Sequence, residues 1–145
     1  MAITLSILKR ADAAALRDIR VLLAQVRSGS AEGAVTMPEL KSVLKDTNTL
    51  VLVAKDGVHI IGMAMLCITA RIGRRTGQVE DVVVLDGYRG KGLGKQLMNK
   101  LIELARKNKL KAVYLTSRPA RVAANALYQK IGFERKETNA YCLKL

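Results

Sequence analysis

The chain has no tryptophan, one phenylalanine, four tyrosines, one histidine, two cysteines and two prolines in 145 residues. Each shortage closes a route. So few aromatics leave no series of platforms on which nucleic-acid bases could stack. The lone histidine, His59, sits beside the Asp56-Gly57 turn and reads as a solvent-facing strand position. Neither it nor the cysteines show zinc-finger spacing, so no metal is expected. Cys67 and Cys142 lie inside apolar, strand-like runs and read as small buried hydrophobes, which suits a reducing cytoplasm. No apolar run approaches the roughly 20 residues of a membrane span. Arg10 and Asp12 break up any signal-like apolar segment near the amino end, so a cytoplasmic protein with no membrane partner is expected. Internal repeats and low-complexity linkers are lacking too. The length suits one core of ordinary size, a single domain over 1–145.

Positive charge is present in excess. Lys and Arg number 25 against 12 Asp and Glu, a formal charge of +13. Such a bias signals an anionic partner or simply a solvated basic surface. Without stacking residues or a nucleic-acid motif, nucleic acid is the less favoured partner. A phosphate-rich small molecule would use part of the charge.

The most informative stretch runs from Val79 to Leu104. Val79 to Leu85 is a mostly β-branched run bounded by Asp86-Gly87, the pattern of a buried strand. Gly90, Gly92 and Gly94 follow. Leu93, Leu97, Leu101 and Leu104 then recur at helical spacing, with Met98, Ile102 and Ala105 widening the stripe of a helix over 91–108. Strand, glycine loop and helix together make an anion site, because free amides and the helix dipole meet at the helix start. The alternating glycines match neither the dinucleotide fingerprint nor the nucleoside-triphosphate loop.

The remaining segments read in order. Ile3 to Lys9 alternates as a first strand. Asp12 caps a helix whose Leu16, Ile19, Leu23 and Val26 share one face. Ser28 to Gly33 is a loop, and Met37-Pro38 opens a short helix to about Asp46. Leu50 to Ala54 and Val58 to Ala70 form a hairpin, and Arg71 to Gly77 is a basic turn. Lys111 to Thr116 reads as a strand. A helix starting at Ser117-Arg118-Pro119 carries Ala124, Tyr128 and Ile131 on one face and ends at Gly132. Phe133 to Lys136 and Tyr141 to Leu145 read as two closing strands. The order β-α-α-β-β-β-α-β-α-β-β predicts an α+β fold with a mixed, mostly antiparallel sheet flanked by helices.

Two motifs resemble those of one family. Arg89-x-x-Gly92-x-Gly94 is similar to the Arg/Gln-x-x-Gly-x-Gly/Ala loop of the GNAT superfamily of acyl-CoA-dependent N-acyltransferases. Ala124-Asn-Ala-Leu-Tyr-Gln-Lys-Ile-Gly-Phe133 is similar to its A-x-x-L-Y-x-K-x-G-F segment. The element order resembles the GNAT fold over nearly the whole chain. That resemblance implies a sheet splayed at its centre, with the pantetheine arm of acetyl-CoA, as acyl-donor cosubstrate, pairing with the backbone of Val82, Val83 and Val84. It implies a pyrophosphate held by amides of Arg89, Gly90, Lys91, Gly92, Leu93, Gly94 and Lys95, with Lys91 and Lys95 adding charge. Ser117, Asn125 and Tyr128 complete the implied cofactor-binding set. One departure is Arg121, which stands where the family often has Asn; Asn125 is the candidate substitute.

The implied reaction is acetyl transfer to a primary amine of a small molecule or protein by direct attack. Glu80 is the expected base, with Asp81 held in reserve because a strand bulge would change which acid faces the substrate. A backbone N–H near Val83 is the expected oxyanion donor, and Tyr128 the expected acid for the leaving thiolate. A covalent cysteine route would need an activating base near Cys67 or Cys142, which His59 does not obviously supply. A catalytically weak acyl-CoA-binding regulatory module, and a basic nucleic-acid-binding protein, are the other classes. A homodimer is left open.

Overall fold

In a computed structural model, which describes residues 2–27 and 34–145, four helices flank a five-stranded sheet in the order β1-β2-β3-β4-β5. The expected loop over Ser28–Gly33 lies outside the described residues. The strands are β1 (Ile3–Ile7), β2 (Thr49–Asp56), β3 (His59–Arg71), β4 (Arg74–Val84) and β5 (Val113–Tyr114). The first four pair antiparallel, and β5 joins β4 in parallel. The helices are α1 (Ala13–Val26), α2 (Met37–Lys45), α3 (Leu93–Lys107) and α4 (Val122–Lys130).

Local chemistry accounts for most of these elements. The Asp12 carboxylate accepts from the Ala15 amide at 2.8 Å and starts α1. Thr36 and Glu39 form a reciprocal capping box on α2, with Pro38 in its first turn. The α3 stripe Leu93, Leu97, Met98, Leu101 and Ala105 is buried, as its spacing requires. It packs on the face of the sheet carrying Leu52, Ala64 and Leu66. The opposite face, with Val51, Val53 and Met63, buries Ile19 and Leu22 of α1 and Leu40 of α2. Leu97, with no exposed surface, lies in the first of these layers. Leu97→Ala is expected to cost about 2–5 kcal/mol, the usual range for emptying a packed leucine site, measured as a lowered urea midpoint at unchanged slope.

Five expectations are corrected by the fold. The basic stretch Arg71–Gly77 is not a long turn. Arg71 pairs with Arg74, so only Ile72-Gly73 turns, and β4 begins far earlier than Val79. Its buried Thr76 accepts from the Arg71 guanidinium at 3.1 Å. The strand expected over Lys111–Thr116 is ladder-bonded only at Val113–Tyr114. The last helix begins at Val122, since a turn closed by the Arg121 amide on the Arg118 carbonyl precedes it and leaves Ser117 outside. Phe133–Lys136 and Tyr141–Leu145 form no strand, and Cys142 is exposed rather than buried. Alternation measures suitability for a strand, whereas a strand also needs a partner edge. Cys67 is half-buried on β3, and His59 is largely exposed at the start of that strand, as its sequence context suggests.

Candidate active site

The ladder between β4 and β5 stops after Gly77–Val113 and Gln78–Tyr114. Beyond it the two strands part. Val79–Val84 and Leu115–Ser117 become opposite walls of a cleft of about 1400 Å³. The cleft runs on to Arg89, Gly90, Gly92, Leu93, Gly94 and Lys95, and Tyr128 and Leu127 of α4 also line it.

At the loop end, Gly90 and Gly92 have φ of +78° and +80°, the left-handed region that glycine enters without penalty. Gln96 donates the first intrahelical bond of α3, to the Gly92 carbonyl. The amides of Leu93, Gly94 and Lys95 therefore have no helical acceptor and are available to an anion. A Cβ built on Gly90 or Gly92 meets no atom of the described residues within 4 Å. Such a concave run of amides fits a pyrophosphate. Gly92→Val is expected to cost about 1–2 kcal/mol of stability from the left-handed backbone. It should also weaken acetyl-CoA binding by about tenfold or more, equivalent to about 1.4 kcal/mol. Calorimetry on the folded variant checks it; unchanged affinity would place the phosphates elsewhere.

The motif side chains are partly engaged. Arg89 donates to the Val84 carbonyl at 3.3 Å and pairs with Asp86, so it braces the loop. Lys91 stands over the Tyr88 ring, 5.4 Å from its centroid, and does not line the cleft. Lys95 does. Asn125 donates to the Arg118 carbonyl at 3.0 Å and stays outside the cleft lining, bracing the turn before α4. Ser117 lines the cleft, and its buried hydroxyl oxygen has no protein partner among the described residues.

The two acids sit at a β-bulge. Met65 opposes Glu80 and Met63 opposes Val83, so Asp81 and Val82 together face the single residue Ala64. Asp81 has φ of +50°. The strict alternation that would have sent Asp81 to the opposite face is therefore broken. Asp81 meets Arg27 at the end of α1, with a 3.3 Å guanidinium–carboxylate contact. Glu80 is exposed on the cleft lining and makes no ion pair among the described residues. Burial, and then the charges of Glu80, Asp81 and Asp46, push the Cys67 thiol above its ordinary value. That is the reverse of nucleophile activation.

Beyond the bulge the strand is regular, and the Leu85 amide donates to the Ile61 carbonyl at 2.8 Å. Alternation then turns Val83 toward β3 and leaves the backbone groups of Val82 and Val84 facing away from it, toward the cleft. The Val84 carbonyl is already held by Gln25 at 3.0 Å as well as by Arg89. Gln25 also accepts from the Asp86 amide at 3.3 Å, clamping the end of β4 to α1. Sequence reading missed Gln25 and Arg27. Neither stands in a motif, and their partners lie over fifty residues away in the chain.

Tyr128 is 6% exposed and stacks edge-on against Phe133, with ring centroids 6.1 Å apart. Burial pushes its phenol above the ordinary value, while Arg121 pulls the other way.

Known proteins resemble this chain in sequence and fold. The profile of the acetyltransferase (GNAT) family matches residues 16–133. Glucosamine 6-phosphate N-acetyltransferase of Trypanosoma brucei brucei is 40% identical over 82 residues, covering 54% of this chain and 54% of its own. N-alpha-acetyltransferase RimI of Mycobacterium tuberculosis is 34% identical over 85 residues, covering 57% of this chain and 50% of its own. The chain thus spans about half the length of these curated relatives. A solved acetyltransferase from Trypanosoma brucei superposes with a TM-score of 0.78 at 28% identity, over 99% of this chain and 100% of that one. Sequence profile, loop geometry and splayed sheet agree, and the chain belongs to the acetyltransferase (GNAT) family.

Proposed function

We propose that the protein is an acetyl-CoA-dependent N-acetyltransferase that acts on a primary amine by direct attack. The observation that carries this reading is the cleft itself: it leads from the free amides at the start of α3, between parted strands, to Glu80. Acetyl-CoA supplies an activated acyl group as a thioester; the protein supplies placement and proton handling. Cleft-facing backbone of Val82 and Val84 is suited to pairing with an amide-bearing arm, and the Ser117 hydroxyl is a further donor awaiting an acceptor.

An amine of lysine type has a pKa near about 10.4 and is mostly charged at neutral pH, so it must lose a proton before it can attack. Glu80 is the acid free to take it, directly or through one water. Asp81 is tied to Arg27 and positions the bulge. The amides of Val82 and Val84, on either side of Val83, can donate to a carbonyl oxygen as it gains charge. Tyr128, in the wall contributed by α4, holds a proton for the departing sulfur. Cys67 takes no part.

The test is release of free thiol from acetyl-CoA across a panel of amines. It should include an aminosugar phosphate and a peptide with a free α-amine, the acceptors named for the two relatives, along with lysine-bearing peptides and simple diamines. One amine class should drive thiol release with stoichiometric acetylation of its nitrogen. Tight acetyl-CoA binding without turnover on any amine would make the protein a binding module instead.

A further inference from the structure

Positive charge gathers at an end of the domain that the cleft does not reach. The β2 ladder leaves β3 at Cys67, and the β5 ladder joins β4 only from Gly77. Between those points Thr69 faces Thr76, Ala70 faces Arg75 and Arg71 faces Arg74. A two-stranded ribbon thus extends past the sheet, with Ile72-Gly73 at its tip. The Arg75 guanidinium donates to the Asn108 carbonyl at 3.1 Å, and the Lys111 amide donates to the Arg75 carbonyl at 2.9 Å, which sets the ribbon beside the carboxyl end of α3. Arg71, Arg74, Arg75, Arg106, Lys107, Lys109 and Lys111 meet here, all exposed. Neither 69–79 nor 104–115 contains an acid, and none of these cations makes an ion pair among the described residues. The bordering acids are engaged, Glu103 by Lys100 and Asp46 by Asn48 and Thr49. Arg106 and Lys107 suit the negative end of the α3 dipole. Arg71 and Arg74 have no such reason: they stand directly opposite each other, where like charges are destabilising. Nor does the cofactor loop explain them. That loop lies at the other end of the 15-residue α3, about 22 Å away at roughly 1.5 Å per residue.

We propose that this basic end docks on the phosphate backbone of double-stranded nucleic acid, a binding surface separate from the acetyl-transfer cleft. Four of its cations are arginines, whose forked guanidinium matches phosphate oxygens in pairs. A two-stranded β-ribbon fits the major groove of B-form DNA, and the cations at the end of α3 and at 109–111 flank the ribbon as further phosphate contacts. The shortage of aromatics bars stacking on single strands but sets no limit on phosphate contacts. Ile72, fully exposed at the tip, has no side-chain donor or acceptor for a base edge, so the binding is independent of sequence. A membrane surface is less well matched, because Ile72 is the single large apolar side chain that the ribbon offers.

Fluorescence anisotropy with short labelled DNA duplexes, single strands of the same sequence and vesicles containing phosphatidylserine tests it without acetyl-CoA or an amine. Duplexes of unrelated sequence should bind alike and more tightly than single strands or vesicles. Their log–log salt slope should be about −4 to −6, at roughly 0.9 for each phosphate neutralised. The triple variant Arg74→Gln, Lys107→Gln, Lys111→Gln should keep its helical circular dichroism and show a slope shallower by about 2.7, three phosphate contacts fewer. The matched triple Arg17→Gln, Lys41→Gln, Lys55→Gln, outside the patch, should bind the duplex as wild type does. In the wild type, bound duplex should shield Lys107, Lys109 and Lys111 from an amine-labelling reagent and leave Lys41 reactive. No duplex binding at low salt overturns the proposal, as does equal weakening in both triples, which would reduce the effect to net charge. Tighter binding to vesicles would make the surface a membrane contact instead, and equal binding to single strands would remove the groove. Unshielded Lys107, Lys109 and Lys111 overturn it as well, and decide the matter should the first triple not fold.

Discussion

Replacing Glu80 by Gln is expected to lower kcat by about 10²-fold or more, within the range that general acid–base catalysis contributes, while acetyl-CoA binding stays nearly unchanged. The substitution keeps the length and shape of the side chain and removes only its capacity to take a proton. Glu80 lines the cleft and makes no ion pair among the described residues, so little structural role is lost with the charge. Asp81 provides the control. Its carboxylate is 21% exposed and held by Arg27, so Asp81→Asn should loosen the bulge and raise KM more than it lowers kcat. Steady-state kinetics on both variants, with calorimetry for acetyl-CoA, separate the roles. Full turnover in Glu80→Gln beside a dead Asp81→Asn would move the base by one residue.

Tyr128→Phe is expected to cost about 10²-fold in kcat, the lower end of the general-acid range, again with acetyl-CoA binding nearly intact. The ring and its edge-on contact with Phe133 survive the change, so only the hydroxyl is tested. An ordinary phenol has a pKa of about 10 and a thiol about 8.5, so the proton moves uphill and the acid's benefit is bounded. Burial raises the phenol further, which makes it a weaker acid but keeps it protonated. The sign for pH follows. The role needs the protonated form, and a raised pKa moves its loss to higher pH. Wild-type kcat should therefore show no fall assignable to Tyr128 below about pH 10, the ordinary tyrosine value. Full turnover of the variant, with the chemical step shown to be rate-limiting, would leave Tyr128 as packing beneath the cofactor arm.

Much of the fold can be read locally. The Leu93–Ala105 stripe, the Asp12 cap and the Pro38 helix start depend on residues within a turn or two of one another, so short windows contain the needed information. The glycine loop is legible for the same reason: Gly92 and the amides after it form the candidate anion site within six residues. Extents were harder. The stretch Arg71–Gly77 reads as a long turn because five of its seven residues are basic or glycine. Pairing with β3 nevertheless overrides those preferences and carries β4 down to Arg74.

The sequence by itself determined the family and the splayed-sheet plan, and it singled out Arg89-x-x-Gly92-x-Gly94, the Tyr128 segment and a pair of adjacent acids as the candidate site. Only the tertiary structure decided how those acids differ. An extra residue opposite Ala64 breaks the alternation of β4, and Arg27, far away in the chain, takes Asp81 and leaves Glu80 without an ion pair among the described residues. The clamp by Gln25, the diversion of Asn125 to a loop carbonyl and the unpaired state of residues 134–145 were likewise decided there. The physical reason is common to all of them. Propensity and periodicity are properties of a short segment, whereas a bulge, an ion pair and a strand ladder each depend on which distant partner folding brings alongside.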